Sequence, residues 1–287
     1  MRDGATLGHV LTGAIERYDT TPQPALGGLA PLQMATLLAS DWFSPDSGVS
    51  INQKLIFDET QHVRLMQLAR ELLAFVRDEG PLRVTSRGAF DRATVARAMA
   101  QLGLEADFPE LEGRPRKVTN EEDCLELRKL RTLLEGTELI VNRKGLVLAK
   151  RGYDVMRPER AGALYTELFL GYFADPVLLP DIGDAPEVML QVLPLAVWRL
   201  SQYAIEWIDG QDLAWLCWPM TAEDAPLARF DAPDGNPEFG FTTYSFLLNP
   251  LTDLGLLECR ELLHGTPQFR NEFRLSPLFH RSFQFHV

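Results

Sequence analysis

The residues best suited to bind a ligand are seven cations between positions 128 and 151. They lie within residues 114–160, where 12 basic residues stand against 8 acidic ones. Lysine and arginine side chains on a helix and on the hairpin that follows it can contact phosphates and a nucleic-acid groove. The candidate nucleic-acid-binding residues are Arg128, Lys129, Arg131, Arg143, Lys144, Lys150 and Arg151.

Acidic residues at the start of the same helix oppose that interpretation. A helix-turn-helix reads bases mainly with the N-terminal part of its reading helix. That part here carries four carboxylates, Glu121, Glu122, Asp123 and Glu126. Acidic side chains at this position also interact favourably with the helix dipole, which is the simpler explanation. The helical period separates Arg128, Lys129 and Arg131, so they do not form one stripe.

The overall charge also disfavours DNA as the ligand. The chain has 287 residues and a net charge of −12, which repels phosphate backbones on average. Most of this charge lies in residues 161–287, where 17 acidic residues stand against 6 basic ones. This acidic half is suited to binding a basic partner or to keeping the protein in solution.

The sequence carries none of the common catalytic or metal-binding motifs. The five histidines lack metal-ligand spacing, and the usual hydrolase, nucleotide-hydrolase and dinucleotide signatures are absent. The acidic residues of segment 231–236 fit a turn better than a cation loop. We therefore expect no cofactor and no metal, and catalysis has no positive evidence. Three cysteines in apolar patterns are expected to be buried packing residues: Cys124, Cys217 and Cys259.

Cysteine usage and hydropathy indicate a cytoplasmic protein. An odd number of cysteines without a C-x-x-C pair suits a reducing compartment. The N-terminus lacks the features of a signal peptide. The most apolar stretch, residues 188–208, contains too many polar side chains for a membrane span, so we expect a buried helical region there.

The predicted elements place the cations on a helix and a hairpin. Residues 61–156 follow the order helix, strand, helix, helix, hairpin, which is the order of a winged-helix domain. A helix followed by a hairpin returns at residues 251–276 as a weak internal repeat. The fold class is therefore mainly α (α+β), with two winged-helix-like units, short β-hairpin wings and a helical middle. The predicted segments are a lead-in (1–60), a first unit (61–156), a helical connector (157–207) and a second unit (208–287).

Local signals predict several element ends. Pro31 opens a helix, Asp91 caps another that ends at Gly103, and a capping box begins at Asn120. The hairpin turn, residues 142–145, offers Asn and Gly for positive φ.

Three further segments carry predictions of their own. The stretch before Phe57 is predicted to be irregular, and Pro250 is predicted to kink or divide a helix. The alternation of Phe283, Phe285 and Val287 favours a final edge strand packed on the second unit over a strand offered to a partner chain.

Three motifs of the sequence form a recognisable set. They are Gly28-Leu29-Ala30-Pro31-Leu32-Gln33-Met34, Leu82-Arg83-Val84-Thr85-Ser86-Arg87-Gly88 and Asn142-Arg143-Lys144-Gly145-Leu146-Val147-Leu148-Ala149-Lys150-Arg151-Gly152. These motifs resemble a group of uncharacterised bacterial proteins, some of them labelled plasmid open-reading-frame-three-like. The resemblance is clearest over residues 25–156 and implies no established activity. The chain departs from the group's pattern at Ala149 and at Ala30-Pro31, and no catalytic residue can be transferred.

These observations favour a non-catalytic module that acts through protein–protein contacts, with another protein or a second copy as partner. The alternative is a DNA-binding transcriptional regulator that uses residues 120–151. Winged helices serve both kinds of partner, so the fold does not decide between them.

Overall fold

The computed structural model confirms a mainly helical α+β chain with small antiparallel sheets. It describes residues 12, 14–44, 46–104, 120–149, 154, 156–174, 185–217, 244–261 and 271–287. The helices are α1 (Pro31–Leu38), α2 (Phe57–Thr60), α3 (Arg64–Asp78), α4 (Arg92–Leu102), α5 (Leu125–Gly136), α6 (Ala161–Ala174), α7 (Ala185–Tyr203), α8 (Gly210–Cys217), α9 (Asn249–Asp253) and α10 (Pro277–Ser282). The strands are β1 (Val49–Ile51), β2 (Leu82–Arg83), β3 (Ile140–Arg143), β4 (Leu146–Ala149), β5 (Ile208–Asp209), β6 (Leu257–Glu261), β7 (Asn271–Leu275) and β8 (Phe283–Phe285).

The chain packs as two compact units, each assembled from separated segments. The central unit comprises Asn52–Asp181 and Ser245–Leu256. The terminal unit comprises Met1–Ile51, Ile182–Tyr244 and Leu257–Val287. The four consecutive segments proposed from sequence are a different division and stay a prediction.

Two three-stranded sheets share one topology. In the central unit the strand order is β2-β4-β3, and in the terminal unit it is β5-β7-β6. In each sheet a short strand pairs with the second strand of a later hairpin, and all pairs are antiparallel. Among the described residues, an α-helix precedes each short strand, and two α-helices lie between that strand and its hairpin.

The core of the central unit contains the apolar stripe predicted before and along α5. Cys124, Leu127, Leu130 and Leu134 are all buried. The Asp91 side chain accepts a hydrogen bond from the Thr94 amide at the start of α4, as the capping signal predicts. The close approach of α6 to residues 53–55 requires Gly162, because a Cβ there would overlap the Gln53 carbonyl.

The terminal unit contains two strands that the sequence did not predict, β1 and β5, and β5 (Ile208–Asp209) begins within the stretch expected to be helical. β1 lies in the stretch expected to be irregular, and it pairs with β8 in the register Val49↔Phe285 and Ile51↔Phe283. The tail therefore pairs as a strand with its own chain, as favoured from its alternation, but its partner β1 lies in the predicted lead-in and not in the predicted second unit. A strand of three residues, such as β1, is too short for an alternation of apolar and polar residues to distinguish it from a loop.

One further expectation needs correction. Cys259 is exposed on β6, whereas Cys124 and Cys217 are buried as predicted. Pro250 divides a helical stretch, as predicted: a π-helical turn (Tyr244–Leu248) is followed directly by α9, and Pro250 lies in the first turn of α9. None of the described helices is long and apolar enough to cross a membrane.

Candidate functional site

Arg131 of α5 is bound within the protein. Its Nε donates to Glu121 Oε1 at 2.5 Å and its Nη1 donates to Glu135 Oε2 at 2.8 Å. The Arg131 side chain is 12% exposed and that of Glu121 only 1%. The second Glu121 oxygen accepts from the Phe90 amide at 2.6 Å, so this carboxylate joins the approach to α4 with α5.

The charge balance of this cluster keeps Arg131 protonated. Burial alone would lower the pKa of Arg131, but the hydrogen bonds and negative charges of Glu121 and Glu135 outweigh burial and raise that pKa. A guanidinium that is 12% exposed and compensated by two carboxylates presents little positive charge to a phosphate. Arg131 is therefore a packing residue of the central unit.

Lys129 is bound on the other side of α5. Its Nζ forms an ion pair with Asp253 of α9 and lies 4.6 Å from the centroid of the Tyr172 ring. The Tyr172 hydroxyl donates to Asp253 Oδ2 at 2.7 Å. Burial, together with the charge and hydrogen bond of Asp253, raises the pKa of Tyr172, so this phenol stays a donor. Lys129 thus helps to hold α9 against α5 within the central unit.

The carboxylates at the start of α5 also have internal roles. Glu121 lies in a 3₁₀ turn (Glu121–Asp123), and Asp123 Oδ2 accepts from the Asn120 amide at 3.0 Å, as the capping box predicts. Glu126 receives hydrogen bonds from Arg64 of α3 at 3.1 and 3.3 Å.

Three of the predicted cations point to solvent. Arg128 on α5 is exposed, and so are Arg143 and Lys144 at the hairpin tip. The turn differs in detail from the prediction: Lys144 and Gly145 adopt positive φ (54° and 79°), whereas Asn142 does not. Positive φ at both central residues is the pattern of a two-residue type I′ turn, which matches the twist of its strands. The other two predicted cations, Lys150 and Arg151, lie outside the described residues.

Sheet register adds a cation that the sequence interpretation missed. Arg83 of β2 and Arg143 of β3 both pair with Leu146 of the middle strand. Residues directly opposite in a sheet point to the same face, so both arginines flank Leu146 on one side. The alternation of buried Leu82 and exposed Arg83 is the signal that places Arg83 on the solvent side.

A cleft beside this region has mixed charge. Its volume is about 610 Å³, within the range of small-molecule sites. Arg87 and Arg92 line it together with the carboxylates of Asp91, Glu121 and Glu122. Cations and carboxylates thus line the same walls, and no single ligand charge is favoured.

The described residues form no catalytic constellation that we can identify. Ser50 Oγ and His286 Nε2 lie 3.4 Å apart, and a catalytic pair of this kind also needs a third group that orients the base. In the described part of the chain no carboxylate is hydrogen-bonded to His286, and no group of three potential metal ligands occurs. The acidic segment 231–236 lies outside the described residues.

Comparison with known protein families matches part of the chain. Residues 61–162 match the family described as the Y4jL N-terminal domain, which is uncharacterised. No curated protein and no solved structure matches the chain. The matched residues contain β2, α4, α5 and the β3–β4 hairpin. The chain is therefore similar, over this part, to an uncharacterised family, which agrees with the resemblance stated from its motifs.

Proposed function

We propose that this chain is a non-catalytic, cytoplasmic protein-interaction module built on two winged-helix-like units in tandem. The common strand order of the two sheets supports the tandem arrangement. Cys124 and Cys217 are buried and form no disulfide, which suits a reducing compartment.

The observation that carries this proposal is the internal use of charge on α5. Arg131 binds Glu121 and Glu135, and Lys129 binds Asp253. A reading helix must present donors to bases and phosphates, and two of the three cations on this helix are already bound.

The exposed start of α5 favours a protein ligand. Leu125 is 71% exposed and borders a groove of about 300 Å³. Three more leucines and two ion pairs line this groove: Leu65, Leu68, Leu130, Arg64–Glu126 and Lys129–Asp253. An exposed leucine beside buried leucines resembles the apolar anchor of a protein interface. At the same position a DNA-reading helix would need polar contacts to base edges.

The test is affinity capture followed by reconstitution from purified components. Wild type, Leu125→Glu and the control Leu32→Glu, which changes an exposed leucine of α1, are used as bait in a nuclease-treated lysate of the source cells. We expect a purified captured protein to bind wild type and Leu32→Glu equally and Leu125→Glu about tenfold more weakly, or about 1.4 kcal/mol. Failure of every captured protein to bind directly would contradict the proposal.

DNA binding is the second candidate because Arg143 and Lys144 are exposed at the hairpin tip. In the described part of the chain neither has a carboxylate partner. A wing of this kind contacts phosphates, so binding would fall steeply with salt and with charge removal at these two residues.

A further inference from the structure

The outward side of the β2-β4-β3 sheet combines positive charge with apolar surface. Side chains in a strand alternate between faces, and the register places Leu82, Ile140 and Val147 on the buried face. The opposite face and its turn form a surface that we call the basic sheet face. Its residues are Arg83, Val141, Arg143, Lys144, Leu146 and Leu148.

The cations of the basic sheet face are available to a ligand. Arg83, Arg143 and Lys144 are exposed, and no described carboxylate forms a salt bridge with them. The charge of Arg83 contributes to lowering the pKa of Asp91, but Asp91 Oδ1 accepts a hydrogen bond from the Thr94 amide and forms no salt bridge with Arg83. The positive charge therefore lies on the sheet, whereas two of the cations of α5 are bound internally.

The apolar part of this face lies between the cations. Val141, Leu146 and Leu148 are each half-buried. Along β3, Arg143 and Val141 are two residues apart, a spacing of about 7 Å. Residues i and i+2 of an extended peptide share one side at the same spacing. A carboxylate and an apolar side chain in that relation would meet Arg143 and Val141 together.

We propose that the basic sheet face binds an extended acidic segment of a protein partner, with carboxylates on the cations and apolar side chains on the strip between them. This proposal rests on the proposed function and names the partner's chemistry. The half-buried apolar strip favours a peptide over DNA, because phosphate contacts do not use apolar surface. The net charge of −12 also opposes a long polyanion more than a short peptide.

The test is a fluorescence-anisotropy titration at low salt. The probe is a labelled peptide that repeats Glu-Ser-Val-Ser, which places Glu and Val on one side of an extended chain. The control peptide repeats Glu-Val-Ser-Ser, which has the same composition but places them on opposite sides. The variants are Arg83→Glu/Arg143→Glu and the control Lys54→Glu, which changes an exposed lysine elsewhere in the central unit. Circular dichroism confirms that each variant is folded.

We expect wild type to prefer the Glu-Ser-Val-Ser peptide. The double variant should bind it at least about tenfold more weakly, since each charge reversal replaces an attraction by a repulsion, and Lys54→Glu should stay within about twofold of wild type. Equal binding of both peptides, no binding, or an unchanged double variant would overturn the proposal. Tighter binding of mixed-sequence duplex DNA through the same two arginines would also overturn it. If these peptides do not bind but a captured protein binds through Leu125, the peptide proposal is wrong and the proposed function is retained.

Discussion

The pair of Glu121 and Arg131 gives the sharpest test of the central unit. Glu121 is 1% exposed and holds both Arg131 and the Phe90 amide. Changing Glu121 to Gln keeps an acceptor for Phe90 but leaves Arg131 as a largely buried cation with Glu135 as its remaining carboxylate. Removing one partner of a buried pair costs about 3–5 kcal/mol. Because Glu135 still compensates part of the charge, we expect a loss of about 3 kcal/mol.

The assay follows the two units separately. The described tryptophans (Trp42, Trp198, Trp207 and Trp215) lie in the terminal unit, so tryptophan fluorescence reports that unit. Urea unfolding followed by circular dichroism reports both units, and hydrogen exchange of peptides from residues 82–102 and 121–149 reports the central unit directly. For Glu121→Gln we expect faster exchange in these peptides.

A second variant tests the reasoning independently. Combining Glu121→Gln with Arg131→Met removes the buried cation while the glutamine keeps an acceptor for the Phe90 amide, so this double variant should regain part of the stability lost in Glu121→Gln. A loss below about 0.5 kcal/mol for Glu121→Gln, as for an ordinary surface change, would refute the role of this pair. A double variant less stable than Glu121→Gln would refute it as well.

Three further changes test other parts of the account. Asp91→Ala should lower the free energy of unfolding in urea by about 1 kcal/mol. The hydrogen bond from the Thr94 amide lowers the pKa of Asp91 below its ordinary value of 3.8. The stability difference between wild type and Asp91→Ala should therefore be full above pH 3.8 and shrink as the pH falls through the lowered pKa of the folded protein. Lys144→Asn should stabilise the hairpin by about 0.5 kcal/mol, because Asn tolerates positive φ better than Lys, and a lower midpoint would contradict the turn assignment. Gly162→Ala should lower the free energy of unfolding by about 1–3 kcal/mol, because the added Cβ overlaps the Gln53 backbone. An unchanged melting temperature would contradict the close approach of α6 to residues 53–55.

Local signals predicted the parts of the fold that depend on neighbouring residues. The cap at Asp91, the helix opened by Pro31 and the β3–β4 hairpin each follow from a few adjacent positions. These features need no long-range contact, so a short window of sequence contains their physical cause.

The candidate site depends on contacts that no local pattern contains. Lys129 meets Asp253, which lies 124 positions away in the chain, and its bound state follows from tertiary packing. Arg83 joins Arg143 only through the register of a three-stranded sheet. Helical angles showed that the cations of α5 do not form one stripe, but they could not show which of them are bound.

The most direct test of the central claim is a titration of labelled mixed-sequence duplex DNA at low salt, where nonspecific contacts are strongest. The protein is compared with Arg143→Glu/Lys144→Glu. Because Lys129 and Arg131 are bound internally and the chain is acidic, we predict no saturable binding in the micromolar range for either protein. Micromolar or tighter binding by wild type that the double change abolishes would contradict the account and identify the hairpin as a DNA contact.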